Sequence, residues 1–362
     1  MAPGTAHGAP ARRVTSVVIN FNGGERLLRC VEAIHLQKVA LAEVLVVDSG
    51  STDGSPERVR ADFPGTRIID LGANRGPGAA RNVGLRAAAT NLVLLVDHDL
   101  QLAPGCVGRL LTAYDRLRPI MLCPRIHLHP ERGIVQADGA APHFLGTMLL
   151  RHGFSAADDL PTETALVGAC PSGCLLVESS GVLATGGFDE LYFFYFEDLE
   201  LSLRLRALGH KLVCEPTAVA FHDPGMTGLA FRGDGPYPSR RAYLTCRNRL
   251  LTMLIHYRAR TWVVLLPALI LYELASLSLA VARGWTLAWA RAWLWQPAHL
   301  LPIVRRRRRI QKARVLHDRE LLVGGQIPLA PGLVRSRPAA ALVDLLSALL
   351  DAYWRMARRW IG

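Results

Sequence analysis

Residues 92–96, Leu-Val-Leu-Leu-Val, are uniformly apolar, and the run stops at Asp97, with Asp99 two positions on. Its length and branching fit a strand buried on both faces, the kind found inside parallel α/β sheets. Open α/β sheets bind ligands beyond the carboxyl ends of their strands. Side chains two apart on a strand point the same way, so the two carboxylates would make a hard-oxygen site suited to Mg2+ or Mn2+. Turn chemistry is the rival explanation, because Asp often closes a strand and Pro104-Gly105 follows soon after.

The residues before that run alternate between two periodicities. Residues 14–20, 43–47 and 67–70 read as strands, the second ending at Asp48. Between them lie a helix over 26–34 with Leu27, Leu28, Val31 and Ile34 on one face, and a helix that Pro56 can open. A third helix begins in NRGPGAARNVG and runs to about residue 89. This alternation predicts an α/β fold with a doubly wound, mostly parallel sheet. Further on come a helix over 106–117, a strand over 120–124 and a loop-rich stretch carrying His127, His129, His143 and His152, whose pairing the pattern leaves open. A strand over 173–178, a helix over 198–208 closed by Gly209, a strand over 211–214 and a strand-like VAF before His222 complete the unit. Residues 1–13 lack the apolar core of a signal peptide and read as a short disordered lead. Residues 14–239 form the α/β unit, divided near residue 103, and residues 240–362 form a basic, apolar helical region.

The formal net charge is +12, and the basic residues crowd between Arg240 and Arg319, with an unbroken arginine run at 305–309 beside tryptophan-rich sequence. That pairing predicts attraction to an anionic membrane surface, not a nucleic-acid partner. Residues 261–281 hold one charge, Glu273, and are long enough to span a bilayer. Pro267 and Glu273 argue for less than a full span, so this region is expected to lie in or partly sunk into the membrane face. Four tryptophans within residues 285–295 suit an interfacial belt. The seven cysteines are scattered and odd in number, which predicts reduced thiols and a cytoplasmic setting. Cys170 and Cys174 have no answering Cys/His pair and predict no zinc site.

Three further segments carry candidate chemistry. Asp48 opens DSGSTDGS, where small residues allow close approach of a ligand and a strand-end carboxylate can accept from a nucleobase or ribose edge; helix-start chemistry explains Asp53 or Ser55 but not Asp48. Gly76 and Gly78 precede a helix whose free N–H groups could face an anion, with Arg75 or Arg81 adding charge, although Gly-Pro-Gly also serves any tight turn. Glu197 and Asp198 follow the aromatic run YFFYF at a helix start, where they either cap the helix or supply a general base. Glu200 and Arg204 read as a solvated i,i+4 pair, and His222 as a structural histidine or a metal or phosphate ligand.

In order and spacing, INFNGGERLL, LVVDSGSTDGS, NRGPGAARNVGLRAA, LLVDHDLQLAPG, GGFDELYFFYFEDLELSLRLRALGHKL and FHDPG resemble the inverting family two glycosyltransferases of the A-type nucleotide-sugar fold. The likeness covers about residues 14–225, and YLTCRNRL with the basic tail resembles the bacterial rhamnosyltransferase-like branch. It implies a nucleotide-sugar half over about 14–103, an acceptor half over about 104–239 and a membrane-associated tail. Asp48 would contact the base, with Asn20, Asn22 and Arg81 close by and Asn74 and Gly76 also on the nucleotide sugar. Asp97 and Asp99 match the DXD pair and would hold the diphosphate through a divalent cation, with His222 as a further ligand. Asp198 would be the catalytic base, Glu197 its support, and the 168–174 loop would border the acceptor pocket. The implied reaction moves a sugar from a UDP- or dTDP-sugar to a hydroxyl acceptor, polyprenyl-linked or otherwise presented at the cytoplasmic face of the membrane. A nucleotidyltransferase, or a non-catalytic nucleotide-sugar-binding protein of the membrane surface, is the alternative. His98 between the two aspartates and Glu178-Ser179 depart from the usual pattern.

Overall fold

The computed structural model describes residues 13–223, 237–330, 333–334 and 336–361. The expected lead, apart from Arg13, and the Pro224-Gly225 end of FHDPG lie outside the described residues.

Strands β1 (Val14–Asn20), β2 (Leu41–Asp48), β3 (Thr66–Asp70) and β4 (Leu92–Asp97) alternate with helices α1 (Glu25–His35), α2 (Ser55–Asp62) and α3 (Pro77–Ala87). All four strands run parallel, β1 lying between β2 and β4. Leu92 through Val96 are buried, as a strand covered on both faces must be. Small residues let α3 lie close against the sheet: a Cβ on Gly84 would come within 2.3 Å of Val17 Cγ1. Pro56 and Pro77 occupy the first turns of α2 and α3, where a missing N–H costs nothing.

The second half adds β5 (Leu100–Leu102), α4 (Cys106–Leu117), β6 (Met121–Leu128), β7 (Ile134–Ala137), the hairpin β8 (Ala140–Pro142) and β9 (Met148–Leu150), β10 (Ser155–Ala156), β11 (Ala165–Leu166), β12 (Cys174–Glu178), α5 (Ser179–Ala184), α6 (Glu197–Ala207) and β13 (Leu212–His222). The main sheet runs β10-β7-β6-β12-β4-β1-β2-β3. It is mixed: β12 is antiparallel to both β4 and β6, whereas β13 is parallel to β6. The 211–214 strand and VAF are one element, broken only by a register shift between Glu215 and Val219, where Pro216 has no N–H to donate.

The C-terminal region is helical: α7 (Ser239–His256), α8 (Ala259–Ala282), α9 (Thr286–Ala298), α10 (Leu300–Ala313), the short α11 (Asp318–Leu321) and α12 (Arg337–Ala357). Leu250, Met253, Leu265, Leu269 and Trp354 join Phe144, Leu199 and Leu203 in one core, so these helices are fused to the sheet unit. Among the described residues α8 is the one helix long and apolar enough to cross a membrane. It buries Leu265, Ala268 and Leu269 but leaves Val263, Leu266, Ile270 and Leu274 exposed. Glu273 pairs with Arg249 of α7, so its charge is answered inside the protein.

Within the 305–309 run, Arg306 pairs with Asp189 and Arg307 donates to the Leu254 and Tyr257 carbonyls, while Arg305, Arg308 and Arg309 are exposed. Of the four tryptophans, Trp293 is exposed and the others are half-buried: Trp295 stacks on His299 at 3.9 Å and Trp285 packs on Tyr237 at 4.9 Å.

Candidate functional site

A cleft of about 1030 Å³ opens at the carboxyl ends of β1 and β4, and Asn20, Asn74, Arg81, Asp97, His98, Asp99, Glu197, Asp198 and His222 all line it. Asn22, Asp48 and Gly76 are not on its lining. Asp48 lies opposite Asn20 in the β1–β2 register and is 3% exposed. Its carboxylate accepts from Asn20 Nδ2 at 2.6 Å, Ser51 N at 2.8 Å and Ser51 Oγ at 2.6 Å, so it holds the DSGS turn and orients Asn20. Asn22 ties the same turn down, accepting from Thr52 N at 2.9 Å.

The aspartate pair is presented by a turn, which corrects the expectation from strand alternation. Strand β4 ends at Asp97, and His98-Asp99 turn the chain into β5. Asp97 accepts from Arg81 Nη2 at 2.7 and 3.0 Å. Asp99 Oδ2 lies 3.4 Å from His222 Nε2, while His222 Nδ1 is 2.6 Å from Gln136 Oε1. Burial pushes Asp97 above the usual carboxylate range, the Asp99 charge adds to this, and Arg81 opposes it. Burial works against a charged His222, yet Asp99 holds the imidazole above its ordinary value. His98 folds back over the end of β1, its ring against Gly23 and its Nδ1 3.2 Å from the Ile19 carbonyl.

These oxygens and the imidazole suit a divalent cation by chemistry. Among the described residues no three His, Cys, Asp or Glu side chains close into a metal cage. Mg2+ and Mn2+ do not require one, since such ions are held by one or two carboxylates together with substrate phosphates.

Arg81 is 1% exposed and bridges the two halves of the cleft: its Nη1 lies 2.9 Å from Glu197 Oε1. Burial, with the adjacent Asp198 charge, pushes Glu197 up to about 7 against the pull of Arg81. Asp198 accepts from Leu199 N at 2.8 Å and Ser172 N at 3.2 Å, and burial raises it too. The expected acceptor-side loop therefore touches Asp198 and also the arginine that holds Asp97 and Glu197, since the Ser172 carbonyl accepts from Arg81 at 3.4 Å. Gly76 serves a close approach: a Cβ there would come 2.1 Å from the Phe193 carbonyl oxygen.

The family model for glycosyl transferase family 2 matches residues 15–146. An N-acetylglucosaminyl-diphospho-decaprenol L-rhamnosyltransferase of Mycobacterium tuberculosis is 30% identical over 228 residues, which make up 57% of this chain and 74% of that protein. The chain belongs to glycosyltransferase family 2. A pre-mycofactocin glycosyltransferase of the same organism is 32% identical over 59% of this chain and 43% of its own. The crystal structure of GalNAc-T7 with UDP, GalNAc and Mn2+ superposes with a TM-score of 0.57 at 15% identity, over 75% of this chain and about half (52%) of that one. Staphylococcus aureus TarS 1-349 with UDP-GlcNAc gives 0.50 at 15% identity, over 95% and 92% of the two chains. These two likenesses establish the A-type fold.

Sequence reasoning placed Glu200 and Arg204 of this glycosyltransferase in solvent, and the structure buries both. Arg204 Nη2 lies 2.8 Å from Glu200 Oε2, and His256 of α7 lies 3.3 Å from Glu200 Oε1. Facing inward, the pair fastens α6, and with it Asp198, to α7. Residues behind the aromatic run were missed altogether. Phe193, Tyr195 and Phe196 have positive φ, and Phe193, at φ 62° and ψ −66°, sits at the centre of a tight γ-turn closed by Phe194 N to Tyr192 O at 2.8 Å. Such conformations cost about 1–3 kcal/mol each and persist only where the surroundings impose them. Asn248 of α7 supplies that constraint: its Nδ2 lies 3.0, 2.9 and 2.7 Å from the carbonyls of Tyr192, Phe194 and Tyr195. Arg247 adds a bond to the Tyr192 carbonyl at 2.5 Å. The signal was RNR at 247–249 running directly into the apolar LLTMLI, polar residues that need buried partners.

Proposed function

We propose that this glycosyltransferase is an inverting, divalent-cation-dependent enzyme that moves a sugar from a UDP- or dTDP-sugar to a hydroxyl of a lipid-linked acceptor at the cytoplasmic face of the membrane. The observation that carries this reading is the convergence of Asp97, Asp99, Glu197 and Asp198 on one cleft, joined by Arg81. Asn20 and the turn organised by Asp48 receive the base, with Asn22 and Asn74 beside it. Asp97, Asp99 and His222 would hold the cation, which neutralises charge on the departing nucleoside diphosphate. Asp198, kept basic by burial, takes the proton from the acceptor hydroxyl as that oxygen attacks the anomeric carbon in line with the leaving diphosphate, so configuration inverts. Glu197, buried beside Arg81, sets the position of its neighbour.

Support for a lipid-linked acceptor comes from the helical region. α8, α9 and α12 leave Val263, Ile270, Leu274, Leu294, Leu345 and Leu349 exposed, apolar side chains that a membrane face would cover. The mycobacterial relative named above acts on a decaprenol-linked sugar. The deciding experiment incubates enzyme, Mn2+, nucleotide sugars and membrane extract and analyses the released product. Free nucleoside diphosphate means glycosyl transfer, whereas pyrophosphate released in a parallel reaction given a nucleoside triphosphate and a sugar 1-phosphate would mean nucleotidyl transfer. Asp198→Asn should abolish release while nucleotide binding changes less than twofold; a substituted enzyme that still transfers sugar would overturn the assignment of the base.

A further inference from the structure

We propose that the cleft has a second limb, a lipid site that takes the first hydrocarbon segment of an isoprenoid-type chain, with Arg240 and Arg241 holding the diphosphate that links the chain to its sugar. The proposal rests on the reading of the acceptor as lipid-linked and says where that lipid goes. The cleft does not end at the carboxylates. It continues among α7, α8 and α9, where Tyr272, Leu279, Ala280, Trp285, Trp289 and Leu329 line it. This wall is apolar and aromatic, which suits a hydrocarbon chain.

The mouth of this limb is cationic. Arg240 and Arg241 both line the cleft, and their guanidinium groups lie 5.4 Å from the Phe193 ring and 5.0 Å from the Tyr195 ring. The charges are therefore mounted on the aromatic segment that leads directly to Glu197 and Asp198. A diphosphate bound there leaves its sugar beside the base and its chain in the apolar limb. Route of access is the last point. On α8, Leu279 and Ala280 face the cleft, while Leu274 and Val281 are exposed, so one helix separates the limb from an outward apolar surface. A chain drawn from a bilayer against that surface has a short path into the limb.

Farnesyl diphosphate is the probe, titrated by tryptophan fluorescence and calorimetry in EDTA so that no divalent ion recruits it to Asp97 and Asp99. Saturable binding at least tenfold tighter than inorganic pyrophosphate is expected. Leu279→Asp should weaken farnesyl diphosphate at least tenfold and pyrophosphate less than twofold, and Ala280→Trp, which fills the limb instead of charging it, should do the same. Arg240→Glu combined with Arg241→Glu should weaken both ligands. Mn2+-dependent binding of UDP or dTDP in each variant verifies the fold of the donor half. Farnesyl diphosphate binding no tighter than pyrophosphate, or insensitive to both limb variants, would overturn the proposal. So would dihexanoyl phosphatidylglycerol binding equally well with the same sensitivities, because the occupant would then be a bilayer lipid. If neither nucleotide binds the unsubstituted protein while farnesyl diphosphate does, the donor reading fails and the lipid limb stands.

Discussion

Arg81 Nη2 lies 2.7 Å from Asp97 Oδ1, and the other arm of the same guanidinium reaches Glu197. One side chain of α3 thus joins the end of β4 to the start of α6, the two elements that carry the cleft's acids. Burial pushes both carboxylates toward neutrality, and Arg81 is the counter-charge common to them. Arg81→Met should destabilise the fold by about 3–5 kcal/mol, the usual cost of leaving buried charges unpaired. Arg81→Lys keeps the charge, but a single ammonium lacks the fork needed to span both partners. We expect it to retain most of the stability while losing at least tenfold in transfer rate. Denaturant melts and initial rates on the two variants separate these effects, and an Arg81→Lys enzyme of full activity would show that bridging is not required.

Asn248 is a positioning residue: it touches the carbonyls of the strained aromatic turn and reaches Asp198 only through that turn. Asn248→Ala removes bonds worth about 0.5–1.5 kcal/mol each and frees a segment that stores strain of similar size. With each 1.4 kcal/mol amounting to about tenfold in rate, kcat should fall about 10- to 100-fold. Nucleotide affinity should stay within twofold. Asn248→Asp should be worse than Ala, since it sets a carboxylate against three carbonyl oxygens. A loss confined to nucleotide affinity would contradict the positioning role.

The legible parts of the chain were those where one element dictates its own environment. LVLLV could only be a doubly buried strand, and Pro56 and Pro77 mark helix starts whatever surrounds them. The carboxylates lining the cleft were legible for the same reason, each standing at the end of a readable element. Glu200 and Arg204 misled because an i,i+4 pair looks the same on a solvated face and against α7. Arg81 reads as a neighbour of the nucleotide, and its pairing with Asp97 and Glu197 was not legible, because it joins elements far apart in the chain. The clamp at Asn248 depends on chain distant in sequence, and the pairing of β6, β7 and β12 does too. Local periodicity carries no trace of either.

Acid should weaken the fold in two separable stages. Burial holds His143 down at about 4, so between pH 6.5 and 4 the unfolded chain takes a proton that the folded chain refuses; that contribution is complete above 6.5 and lost as pH falls. Glu200 behaves with the same sign lower down. Burial alone would raise it, but Arg204 and His256 outweigh burial and hold it at about 2. Its contribution, about 3 kcal/mol at neutral pH, is complete above 4.5 and disappears toward pH 2. Glu200→Gln should lower stability at pH 7 and flatten the lower stage while leaving the upper one intact. Thermal melts between about pH 7 and 3 read both, and an unchanged lower stage in the variant would remove Glu200 as its source.

Membrane attachment should depend on two forces that salt distinguishes. On the proposed membrane face, exposed Arg305, Arg308 and Arg309 would attract anionic lipid by about 1 kcal/mol each, a term that about 1 M NaCl screens to a range of roughly 3 Å. Ile270 and Leu274 on the outer side of α8 would contribute apolar burial of about 1.5–3 kcal/mol each, which salt does not weaken. On vesicles rich in phosphatidylglycerol, high salt alone should therefore release only part of the protein. Ile270→Glu with Leu274→Glu should leave binding that salt abolishes completely, because only the electrostatic part remains. Glu273 is already ion-paired with Arg249, so Glu273→Gln should not strengthen attachment; its effect should be a loss of fold stability, with Arg249 left without its counter-charge beside Tyr272. Flotation of the three proteins with and without salt measures each term, and complete release of the unsubstituted protein by salt would show that α8 stays out of the bilayer.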